Sequence, residues 1–168
     1  MAATLTTQLN GRIAFTYASS IGGTSANYPA NIDLIDTLSS GTIVDTGDLL
    51  YIAKAVALAG SATNTLDFSG SVSDAFGTSI VAVKVKMFYF HNLSTTAGNT
   101  ITLGGNVNEM LFWSAAGTQT VGPNGRILIW EPSLAGKAVT AATGDILDIL
   151  NNTANAITYD IAFVGTSA

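Results

Sequence analysis

Apolar and polar positions alternate with a period of two along most of this chain, the pattern of pleated strands whose two faces meet different surroundings. The clearest run is residues 79–92 (SIVAVKVKMFYFHN). Read as one strand, it places Val81, Val83, Val85, Met87 and Tyr89 on one face and Ala82, Lys84, Lys86, Phe88 and Phe90 on the other. Its β-branched and aromatic content suits a strand, and its lysine-bearing half predicts one wet face. The following NLSTTAGN is rich in turn formers and leads into residues 100–103, which predicts a β-hairpin. Residues 49–58 (LLYIAKAVAL) put Leu50, Ile52, Val56 and Leu58 on one face, with Lys54 a misfit among them. Their alanine content keeps a helix open as the alternative there. Further strands are expected over residues 12–18, 110–113, 126–131, 146–150 and 157–164. Between the first of these and residue 49 lie a turn-rich stretch at 18–31 (ASSIGGTSANYPAN) and a short apolar piece at 32–38 (IDLIDTL). No segment carries a capped 3.6-residue apolar period.

Roughly eight to ten short strands separated by turn clusters make this an all-β chain, and the expected architecture is an antiparallel β-sandwich of jelly-roll type. Alternation on each strand favours antiparallel over parallel pairing. The length, 168 residues, fits one domain. Residues 1–10 are Thr-rich and polar and are expected to form a flexible arm, with residues 11–168 as the single sandwich domain. TGDLL from Thr46 and TGDIL from Thr143 echo each other. They predict two similar turn-to-strand starts, each with its glycine at a strained backbone position and its aspartate bonded to the local backbone.

Composition changes the picture in one respect. Charged residues make up 10% of the chain, against roughly 25% in an ordinary soluble domain. A compact chain of 17.2 kDa exposes about 7,800 Å2, and few charges are present to cover it. Either Thr, Ser, Asn and Gly keep that surface wet, or neighbouring subunits cover part of it; a homo-oligomer, most naturally a trimer, is the expectation. The net charge of −5 and only six Lys and Arg disfavour a nucleic-acid partner. The one close basic pair, Lys84 and Lys86, reads as a solvated or interface-facing strand edge. The longest apolar stretches are interrupted by lysine and fall short of the roughly 20 residues that span a bilayer, so no membrane segment is expected. The first residues lack the basic-then-apolar order of a secretory signal, which predicts synthesis and solubility in the cytoplasm.

The chemistry-bearing residues are sparse. There is no cysteine, which excludes disulfides, thiolate metal sites and cysteine nucleophiles. The single histidine, His91, reads as a hydrogen-bonded strand-end residue, and one histidine without cysteine makes a zinc site improbable. Carboxylates pair in sequence as Asp33 with Asp36, Asp45 with Asp48, and Asp145 with Asp148, beside Glu109 and Glu131. Such pairs serve glycosidases, and DTGD or TGDILD offer hard oxygen ligands to calcium. Their Gly, Ser and Thr neighbours favour turn-capping over either role. No enzyme, cofactor or metal is therefore expected. The sequons at Asn92 and Asn151 carry no weight without a secretory signal. Trp113 and Trp130 are candidates for an interface or for stacking on a glycan, with Trp130 on the face of Leu128 and away from Ile127 and Ile129.

Two stretches carry a resemblance. TNTLDFSGSVSDAFGTSIVAVKVKMFYFHNLS, residues 63–94, and TGDILDILNNTANAITYDIAFVGTSA, residues 143–168, resemble segments of small structural proteins of tailed bacteriophages. Together they cover about a third of the chain. The resemblance implies a virion component, with a head decoration (cement) protein bridging subunits of the major capsid protein as its first form. A glycan-binding receptor-recognition module of a tail fibre or head spike is the alternative. It transfers no functional residue.

Overall fold

The computed structural model describes residues 5–21, 24–110, 112, 117–133 and 135–168, with the backbone alone for 13–31. Every regular element among them is a strand. In chain order these are β1 (Thr7–Ile21), β2 (Thr24–Ser40), β3 (Thr46–Gly47), β4 (Leu49–Leu58), β5 (Thr63–Asp67), β6 (Ser69–Ser73), β7 (Ser79–Val81), β8 (Lys84–Asn92), β9 (Ile101–Gly104), β10 (Thr118–Val121), β11 (Arg126–Trp130), β12 (Lys137–Ala138), β13 (Ile146–Asn151) and β14 (Ile157–Thr166).

Two antiparallel sheets form a β-sandwich. One runs β11-β8-β14-β4, with β12 also paired to β8; the other runs β10-β9-β13-β5. The pairing is nested. β4 pairs with β14, β5 with β13, β8 with β11, and β9 with β10, so chain-distant strands meet first and the innermost pair is adjacent in sequence. The core holds Phe88, Phe90, Tyr159, Ile161 and Phe163 from the first sheet and Leu66, Ile101, Leu103, Leu147 and Ile149 from the second. Alternation along β13 and β14 sends every second side chain into this layer, as the sequence pattern of both strands requires.

Bulges overturn the face assignments of β4 and β8. On β4, Lys54 and Ala55 together oppose Asp160 of β14. Ala55 takes a φ of 51°, and its amide donates to Asp160 Oδ1 at 2.8 Å. The extra residue reverses the alternation. Tyr51 and Ala53 before it, and Val56 and Leu58 after it, pack against or within the core, while Ile52 and Lys54 face outward. Lys54 is thus no misfit. On β8 the extra residue is Lys86, inserted between Val85 and Met87 where β14 has the consecutive pair Gly165 and Val164. Val85 therefore joins Phe88 and Phe90 inside, and Lys86 is buried, so the wet lysine face expected for this strand does not form. The run expected at 79–92 is also broken at Ala82 and Val83 into β7 and β8.

The N-terminal third departs most from expectation. Residues 18–21 and 24–31, expected as a loop, lie in β1 and β2, and these strands form an antiparallel hairpin paired from Thr7↔Leu38 to Ile21↔Thr24. Thr7 to Asn10, placed by sequence in an arm, pair with residues 35–38. Fifteen residues at about 3.4 Å each give a ribbon roughly 50 Å long. Its ladder to the rest of the molecule is short: Ser39 and Ser40 run parallel to Thr46 and Gly47 of β3. Residues 110–113 are not a strand where described; Met110 and Phe112 are buried on irregular backbone.

Candidate functional site

Two of the four residues singled out from the sequence, Lys86 and Trp130, lie beside the segments where the hairpin meets the sandwich. Lys84 and Lys86 lie on β8, and Trp130 is the last residue of β11, opposite Met87. Trp113 lies outside the described residues. Trp130 falls on the outer side with the exposed Leu128, as its alternation predicted, and is half-buried. Its indole Nε1 donates to Asp36 Oδ2 of β2 at 2.6 Å. Leu38, two residues on and on the same face of the hairpin, is fully buried.

The neighbouring chain locks this junction. Ser39 N bonds Asp45 O, Gly41 N bonds Gly47 O, and Asp45 N bonds Pro132 O. Ile43 N and Thr46 Oγ1 close a small ring in which the hydroxyl accepts from the amide and donates to Ile43 O. Gly47 is required by close approach, since a Cβ there would collide with Val164, and its φ is not positive. Asp48 reaches across to the last strand's end, accepting from Ser167 N at 2.9 Å and Ser167 Oγ at 2.5 Å.

Lys86 sits beneath Ser133 and Gly136. Its Nζ donates to Ser133 O, and Gly136 packs on its stem, where a Cβ would come within 3.2 Å of Lys86 Cδ. Burial pushes its pKa below the ordinary lysine value, the Lys84 charge pushes the same way, and Glu131 and Asp45 pull back. Lys84 is partly exposed, and its Nζ reaches Ala168 O at 3.4 Å. The basic pair therefore splits into one surface charge and one buried one, which is poor geometry for holding a phosphate.

The paired carboxylates are dispersed. Asp33 bonds Arg12 Nε at 2.6 Å on the hairpin surface. Asp145 is buried and accepts from Ala142 N and Ser69 Oγ through Oδ2, while Asp148 faces Thr65 and Asn106. Glu109 is buried, accepts from Gly105 N at 2.8 Å, and has its pKa raised by burial, with Asp148 adding to that and the Gly105 bond opposing it. Asp67 feels burial as well, but bonds from Ser69 N, Ser69 Oγ and Ser71 Oγ outweigh it and lower its pKa. Among the described residues, no group of three or more His, Asp or Glu is placed to hold a metal ion. His91 Nε2 lies 3.0 Å from Asn124 Oδ1. A shallow depression of about 320 Å3 at Leu93, Ser94, Thr96, Asn99 and Thr158 has no titratable side chain in its lining.

Sequence reasoning missed Asp36 as the anchor of Trp130. The signal was present in IDLIDTL, where period two places Asp36 between Leu34 and Leu38 on an otherwise apolar face. A carboxylate in that position needs a donor from whatever the face packs against. It also missed that both sequon asparagines are structural. Asn92 Oδ1 accepts from Ser94 N, and Asn151 Oδ1 accepts from Thr153 N, an Asx turn in each case. Both side chains are fully buried, and their amides bond backbone carbonyls. No protein-family model matches this chain, and no curated protein or solved structure matches it either.

Proposed function

We propose that this chain is a non-enzymatic structural subunit of a tailed-bacteriophage particle, acting as a head decoration (cement) protein that stabilises the shell by bridging its subunits. In this reading the sandwich is a jelly roll, since nested pairing is what one long hairpin yields when rolled into two sheets. The observation that carries the proposal is the β1–β2 hairpin. It extends far past a short, well-anchored base, and a two-stranded ribbon is at best marginally stable in water without a surface to pack on. A protein that works by bridging needs such reach. The phage-like stretches at 63–94 and 143–168 supply the context.

The test is occupancy on native particles. Purified protein added to heads lacking it should bind at saturable, symmetric positions in a cryo-electron microscopy map and raise the temperature at which the heads release their contents. Absence of density on both head and tail would end the proposal.

A further inference from the structure

We propose that one face of the β1–β2 hairpin is the docking surface for a second copy of this chain, hairpin against hairpin. This deepens the assembly reading above and rests on it. Directly paired residues of a ladder share a face. By register, the face that carries Leu9, Leu34 and Leu38 at the base continues outward through Ile13↔Ile32, Phe15↔Ala30 and Tyr17↔Tyr28. The opposite face carries Asn10, the Arg12–Asp33 ion pair, and Thr16 and Asn27 further out, with Ile35 as its large apolar exception. Among the described side chains of this face, burial falls off outward from the base. Leu38 is 1% exposed, whereas Ile32, six residues outward on the same face, is 52% exposed.

The occupant follows from charge and area. The sole charged residue on that face is Asp36, already bonded to Trp130 at the base. Beyond it the face has no charge to desolvate, so an identical face on a second molecule is a matched partner, as a self-complementary contact requires. The molecule exposes 9178 Å2, about 1,400 Å2 more than a compact chain of its mass. Covering about half of that excess on each of two copies removes about 1,400 Å2 in total, within the roughly 1,200–2,000 Å2 of a specific association.

Sedimentation of the full chain at micromolar concentration tests this. Wild-type protein should sediment as an oligomer. Phe15→Asp with Tyr28→Asp, on the apolar face, should weaken association at least about tenfold (about 1.4 kcal/mol), while Thr16→Asp with Asn27→Asp should leave it within about twofold. An unchanged thermal transition of the sandwich shows that each variant folds. Because the chain has no cysteine, Ile32→Cys and Asp33→Cys give an independent readout: maleimide labelling should slow with protein concentration at position 32 and not at 33. Equal effects from both faces, or wild-type protein that stays monomeric, overturn the inference. Particle occupancy measured on the same variants separates the two ideas. Oligomers that never decorate particles refute the assembly reading alone, and a monomer that needs the apolar face to decorate them assigns that face to a shell protein.

Discussion

Ala55 and Ala142 hold left-handed backbone angles, φ 51° and 67°, that L-residues with a Cβ avoid. Ala142 and Asp45, φ 55°, each stand immediately before a Thr-Gly-Asp segment. The TGD echo is thus real at the level of backbone, but the strain sits one residue before Thr and not on the glycine. Only one of the two aspartates, Asp145, bonds the local backbone. Period and composition could not show this, because a lone alanine gives no warning of positive φ. Ala142 is exposed, so Ala142→Gly should relieve strain and raise stability by about 0.5 kcal/mol, net of the added freedom of the unfolded chain. Thermal unfolding should shift up by about 1–2 °C, and Ala57→Gly, on a regular strand, should shift it down. Lys86 makes a second case. Its folded pKa lies below its unfolded value, so the folded state binds fewer protons between the two and stability rises with pH across that window. Lys86→Met keeps the stem and removes the buried charge. The variant should be at least as stable as wild type at pH 7, by up to about 1 kcal/mol, with its advantage shrinking as pH climbs toward 10.5. Melting curves at pH 7 and 9.5 read both effects.

At the scale of elements, what the sequence made legible was the strands that stay regular. β13 and β14 alternate without interruption on their core faces, and their expected spans agree with the structure to within a few residues. β4 and β8 were placed correctly but faced wrongly, because a single inserted residue inverts every side chain beyond it. In both strands the insertion falls at a lysine that interrupts an apolar run, Lys54 and Lys86. The hairpin was illegible for another reason: Ser, Asn, Gly and Pro in residues 18–31 read as turns, and strand pairing overrides that preference. The asparagine turns are elements in miniature. Asn151 Nδ2 bonds the carbonyls of Leu58, Ala59 and Asn155, tying the end of β4 to the β13–β14 connection. Asn151→Ala leaves those buried acceptors short of a donor and should cost about 2–3 kcal/mol, lowering the melting temperature by roughly 5–10 °C. Asn152→Ala, whose amide bonds only Thr102 Oγ1 at the surface, should change it little.

At the scale of the whole molecule, the all-β class and the sandwich were readable because alternation is a local property summed over many strands. Strand order was not readable, because it depends on which distant faces meet. That order places β14 between β8 and β4, in the interior of its sheet, with Phe163 and Tyr159 completely buried. β14 is therefore the strand that two earlier strands are waiting to pair with. Until β14 is present, β4 and β8 have no common neighbour, and the apolar layer stays open to water. Closure of this sheet must then wait for β14 and be slow, with contacts made over long loops, and the waiting chain is a natural client for chaperones that shield exposed strands. A chain ended at Asn155 should show no cooperative thermal transition and should aggregate, whereas adding residues 156–168 back as a separate peptide should rescue a folded complex, both measurable by circular dichroism.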